Sequence, residues 1–188
     1  MIRMAERNNL TGEACALRRT MITSINWDRV PRTKSMALIH LFQGKTKTHL
    51  EVDGFNFGKQ LWSWLYPGLD LDNLTQNDFQ RLIREVTGLV AGLCDQAEYC
   101  TARIVFDSPN CYNKTINDRV EVVFSGGTGQ NRADTLILYD LESQKYSHDC
   151  DHIVVITDDH DLGYKAGNLG ARLLGAVEFS NLLSRKVA

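Results

Sequence analysis

Residues 49–66 read HLEVDGFNFGKQLWSWLY, and the first half of that stretch decides the fold. His49–Val52 alternates apolar and polar residues as a half-buried strand does, and Asp53-Gly54 ends the run with a turn signal. Lys59–Tyr66 follows with Leu61, Trp62 and Leu65 at helical spacing, and Pro67-Gly68 stops it. A strand passing into a helix is a motif that repeats downstream.

Thr75 precedes a long periodic run in which Phe79, Leu82, Ile83, Val86, Leu89, Val90 and Leu93 form one apolar stripe, with Asp78 in the first turn. Thr101–Phe106 is a second strand, stopped by Asp107-Ser108-Pro109. Asn110–Asp118 reads as a polar loop leading to a third strand, Val120–Phe124. After the glycine-rich Ser125–Asn131 comes a helix over Ala133–Leu141. His152–Thr157 is a fourth strand, again ended by acids at Asp158-Asp159. A short helix over Leu162–Leu169, a fifth strand over Ala171–Leu174 and a closing helix over Val177–Arg185 complete the reading. Strands alternating with helices pair in parallel, and near-continuous apolar strands are covered on both faces. The expected fold is α/β, a three-layer α/β/α sandwich with a mainly parallel central sheet. Residues 1–44 lack this periodicity and read as an N-terminal extension, partly disordered or loosely packed, ahead of a domain over 45–188.

A chain of 188 residues with 43% hydrophobic content suits one globular domain. Its net charge of −2 exerts no global pull on nucleic acid, so a polyanion would need a local basic cluster or bound metal ions. The five cysteines have no framework spacing, and no apolar run approaches the roughly 20 residues that span a bilayer. Reduced thiols, a cytoplasmic location and no membrane partner are expected. His148-Asp149-Cys150-Asp151-His152 resembles a metal tract but offers no fourth zinc ligand, so it reads as a surface loop. Trp62, Trp64 and Tyr66 read as core and interface residues.

The chemistry is positional. Asp53, Asp107 and Asp158 end three strands, and Asp134 opens the helix after another. Ligands of an open parallel sheet bind beyond the carboxyl ends of its strands, where these acids would converge. Crowded carboxylates raise one another's pKa unless a cation intervenes, and hard oxygen ligands favour Mg²⁺ or Mn²⁺. Such ions activate water and neutralise phosphodiester charge. Asp is also a common helix cap and turn residue, which accounts for any one of these positions, Asp134 above all. Four on one edge weigh against that account.

Val52-Asp53-Gly54-Phe55-Asn56 resembles the opening signature of NYN domains, relatives of the PIN-like nucleases. Val105-Phe106-Asp107, Val123-Phe124-Ser125-Gly126-Gly127 with Ala133-Asp134, and Val155-Ile156-Thr157-Asp158-Asp159 with Gly170-Ala171 and Val177-Glu178-Phe179 look like the later elements of the YacP-like branch. The resemblance runs from about Thr48 to Arg185. It implies a PIN-like fold and a metal-dependent endoribonuclease, with Asp53, Asp107, Asp134 and Asp158 holding Mg²⁺ or Mn²⁺. Asn56 would bond a ligand or orient Asp53, and Asp161 resembles a further acid of PIN-type sites. Ser125 and the glycine-rich loop would meet RNA phosphate, although that loop lacks a P-loop ending and equally reads as a turn. Lys59, Arg132 and Lys165 would pair with the RNA backbone, or else are solvated surface charge. Thr135 stands where a second acid is often found, which keeps open an RNA- or ribosome-binding module that no longer cuts. RNA is the expected partner, ribosome association and a homodimer are compatible with it, and a small-molecule phosphotransferase or hydrolase is the third class. A haloacid-dehalogenase-like enzyme would need Asp-x-Asp after the first strand, which Asp53-Gly54-Phe55 does not supply.

Overall fold

A computed structural model describes residues 46–66, 74–129, 131–144 and 150–179. The N-terminal extension, His148, Asp149, the side chain of Trp64 and the closing helix beyond residue 179 lie outside the described residues. The elements are β1 (Thr48–Asp53), α1 (Gly54–Leu65), α2 (Gln76–Gln96), β2 (Cys100–Phe106), β3 (Cys111–Asn117), β4 (Val120–Ser125), α3 (Arg132–Gln144), β5 (His152–Ile156), α4 (His160–Asn168) and β6 (Arg172–Leu174).

Six strands form one sheet in the order β3-β4-β2-β1-β5-β6. All adjacent pairs are parallel except β3 with β4. The even positions of the strands, among them Leu50, Val52, Ile104, Phe106, Val122 and Ile156, pack against α1 and α2. The odd positions Val105, Val123 and Val155 pack against Ala133, Ile137 and Leu141 of α3 and Leu162 and Ala166 of α4. The sandwich is therefore three-layered, and strand alternation sorts the two cores.

Two readings change. Asn110–Asp118 is not a loop: Cys111–Asn117 is an antiparallel edge strand whose side chains are largely exposed. A polar, one-sided edge strand carries no apolar pattern, so periodicity misses it. The helix after β1 begins at Gly54 rather than Lys59, because Asp53 caps it directly: its Oδ1 accepts from Asn56 N at 3.1 Å. Gly54 opens the helix because a Cβ there would stand 2.6 Å from the Phe106 ring. At α2, Thr75 and Asp78 form a complete capping box. Trp62 is buried in the α1/α2 core as expected. Cys94, Cys100 and Cys111 form no disulfide, and the buried Cys94 and Cys100 thiols lie 3.4 Å apart. No helix among the described residues is long and apolar enough to cross a membrane.

The topology places a crevice. From β1 the chain winds outward through β2 and β4, then α3 carries it back across the opposite face to β5 on β1's other side. β1 and β5 are thus the strands where winding reverses, and a ligand crevice opens beyond their carboxyl ends.

Candidate metal centre at the carboxyl edge

Asp53 ends β1 at this reversal. Its carboxylate is buried, with Oδ1 accepting from Asn56 N and Oδ2 accepting from Thr157 Oγ1 at 3.0 Å. Burial lifts its pKa to about 6; the two hydrogen bonds oppose the rise, and the negative charges of Asp134 and Asp107 add to it. Thr157 also accepts from Asp159 N at 3.0 Å, so one hydroxyl ties the β1 acid to the turn after β5.

Asp107, beyond β2, spends Oδ1 on three donors: Ser125 Oγ at 3.3 Å, Arg132 N at 3.1 Å and Ala133 N at 3.0 Å. It therefore supplies the side-chain cap of α3 from another strand and fixes the helix that carries Asp134. Asp134 stands half-buried in the first turn of α3. Its pKa is raised by desolvation and then by Asp159, Asp107 and Asp161, while Lys165 acts the other way. Asp53, Asp107 and Asp134 thus share one electrostatic neighbourhood.

Asp158 behaves differently. Its Oδ2 accepts from Val177 N at 2.9 Å, and its Oδ1 is close enough to Gly175 that a Cβ there would stand 2.6 Å away. This carboxylate is engaged with the segment after β6. The acid that Asp134 feels from this turn is Asp159, whose Oδ1 also caps α4 through Asp161 N and Leu162 N. The Asp158-Asp159 pair was visible in sequence. Which member faces inward depends on the twist of the turn after β5, which periodicity does not encode.

The remaining residues separate similarly. Asn56 does not bond Asp53 through its side chain; Oδ1 accepts from Asp158 N at 2.9 Å and pins the start of α1 to the end of β5. Ser125 is buried, donates to Asp107 and accepts from Ser108 N, so its hydroxyl positions an acid. Asp161 is exposed and pairs with Lys165 Nζ at 2.6 Å. Arg132 is exposed, and its guanidinium lies over Gly127, which with Gly126 adopts positive φ (78° and 72°). Lys59 is exposed on α1. In the described part of the His148–His152 tract, Asp151 Oδ2 accepts from Lys47 N at the surface.

The carboxyl-edge acids are not packed tightly. Among the described residues, the group whose donor atoms all lie within 4.8 Å of one another is His49, Glu51 and Asp140, not these acids.

No family model and no curated protein matches the chain. A crystal structure of a mutant form of Rae1 (YacP) from Bacillus subtilis matches it at 25% identity and a TM-score of 0.51, covering 73% of this chain and 77% of that one. The shared architecture supports the YacP-like NYN domain that the motifs imply, and the described residues form a mainly parallel α/β fold of the PIN-like type.

Proposed function

We propose that this protein is a divalent-cation-dependent endoribonuclease. One observation supports the reading above others: at the sheet's reversal point Asp107 and Asp134, remote in sequence from Asp53, lie near enough for their negative charges to raise its pKa, and Asp107 likewise raises that of Asp134. Asp53 and Asp134 would hold the cation, with Asp107 and Asp159 contributing their free oxygens or water-mediated contacts. Bound Mg²⁺ or Mn²⁺ would supply an activated water and charge neutralisation at the phosphodiester. Thr157 holds Asp53 in orientation, and Asp107 sets the height of Asp134 by capping its helix. Lys165 and Arg132 flank the acids and would pair with RNA phosphates on either side. The Asp158 carboxylate shapes the crevice wall through Val177 and is left out of the ligand set.

The test uses the full chain on end-labelled single-stranded RNA. Cleavage with Mn²⁺, absent in EDTA and abolished by Asp53→Asn and by Asp134→Asn, is expected. Undiminished cleavage in both variants would overturn the assignment.

A second reading has its own support. Asp107 and Asp159 each commit an oxygen to helix caps, and Thr135 adds no acid beside Asp134. A module that holds RNA, alone or on a ribosome, without cutting it would show RNA binding in EDTA and no product after Mn²⁺ is added.

A further inference from the structure

A second cluster of ionisable groups lies on the α3 face, toward the amino ends of the strands. His49 and Glu51 come from β1, Thr101 and Arg103 from β2, and Asp140 from α3. His49 Nε2 lies 3.0 Å from Glu51 Oε1, and His49 Nδ1 lies 2.8 Å from Thr101 Oγ1. One donor atom each from His49, Glu51 and Asp140 falls within 4.8 Å of the other two.

The second observation concerns what this group leaves unmet. The Glu51 side chain has 0% exposure, its Oε2 meets no N–H donor, and the Asp140 carboxyl lies within hydrogen-bonding reach of Glu51, so the two acids hold each other only through a shared proton. Arg103 Nη1 comes only to 3.9 Å from Glu51 Oε2 and 3.6 Å from Asp140 Oδ1, and it too makes no hydrogen bond. Two acids in contact around a buried oxygen need a shared proton or a shared cation, and the loose ion pair to Arg103 replaces neither. An open cleft of about 480 Å³, lined in part by His49, Arg103 and Asp140, leads to the group from solvent.

We propose that His49, Glu51 and Asp140 form a binding site for a divalent first-row transition cation of the Zn²⁺ or Co²⁺ class, separate from the carboxyl-edge acids. One imidazole nitrogen with two carboxylates is a mixed donor set that suits these ions better than Mg²⁺, which prefers oxygen alone. With the proton on Nδ1, where Thr101 Oγ1 accepts it, Nε2 is the coordinating atom, and Thr101 orients the ring as outer partners of ligating histidines do. Metal–donor bonds of about 2.1 Å set donors roughly 3.4 Å apart in a tetrahedron, so a small rotation of Asp140, which is 24% exposed, closes the set. Water from the cleft completes the shell. The nearby Arg103 charge keeps affinity below that of a closed structural zinc site. A cation here ties α3 to β1, and α3 is the helix that begins beside Asp134.

The inference does not depend on nuclease activity. Titrating the full chain with Co²⁺, followed by visible absorption, is the test, with Asp53→Asn, Asp140→Asn and His49→Gln as variants and circular dichroism confirming their folds. One equivalent of cobalt with ligand-field bands is expected in the wild type and in Asp53→Asn. Affinity should fall by roughly tenfold or more in Asp140→Asn and His49→Gln. If Asp140→Asn fails to fold, His49→Gln, a change near the cleft, decides the matter. A wild type without these bands, or cobalt binding removed by Asp53→Asn and untouched by His49→Gln, overturns the proposal, whatever RNA cleavage shows.

Discussion

Thr157 Oγ1 donates to Asp53 Oδ2 at 3.0 Å, joining two residues 104 positions apart. The bond stabilises the ionised carboxylate, so it holds down a pKa that burial would push higher still. Thr157→Val keeps the shape and removes the donor. The pH profile of Mn²⁺-dependent cleavage should move to higher pH, with activity near neutrality reduced on the order of tenfold. An unmoved profile means that Thr157 has only a packing role.

Asp53 makes stability depend on pH with a definite sign. Its folded pKa is about 6, above the ordinary aspartate value near 3.8, so its favourable contribution is complete below pH 4 and lost as pH rises through 6. A rise of that size corresponds to about 3 kcal/mol. Metal-free Asp53→Asn should therefore melt higher than wild type above pH 6, and the difference should vanish near pH 4. Thermal melts in EDTA at both pH values check this, and saturating Mn²⁺ should narrow the gap by stabilising the wild type alone.

Asp107 predicts the opposite sign. Its Oδ1 caps α3 through two backbone N–H groups, so Asp107→Ala should cost roughly 1–2 kcal/mol even without metal. Asp107→Asn retains an accepting oxygen and should recover most of that stability while losing cleavage. Chemical denaturation of the two variants, alongside their RNA cleavage, separates helix capping from charge.

The adjacent acids after β5 divide their labour. Asp159→Asn keeps a competent cap on α4 but removes a charge that Asp134 feels, so cleavage should fall with little change in melting temperature. Asp158→Asn should leave cleavage largely intact. Gly175→Ala, whose methyl would press on Asp158 Oδ1, should loosen the Val177 contact and lower stability. Equal loss of cleavage in both asparagine variants would return Asp158 to the ligand set.

The parallel core strands were legible because their apolar runs and acidic stops are local signals, and Asp53, Asp107 and Asp134 were legible as chain positions at one sheet edge. β3 was hidden because an edge strand with exposed side chains needs no apolar alternation. The split between Asp158 and Asp159, and the use of Ser125 to fix Asp107, depend on which way backbone turns point side chains, a property of tertiary geometry. His49 and Glu51 did leave a trace. Polar residues at alternate positions of β1, a central strand covered on both faces, indicate a buried polar network rather than a solvent face.

The order of the strands also governs when this crevice can first close. β5 docks beside β1 only after every intervening element has been made, and Thr157 and Asp159 come with it. During synthesis, a growing polypeptide that has reached α3 already carries Asp53, Asp107 and Asp134 but lacks the β1 neighbour that closes their crevice. The crevice therefore takes its final form only once β5 has docked beside β1.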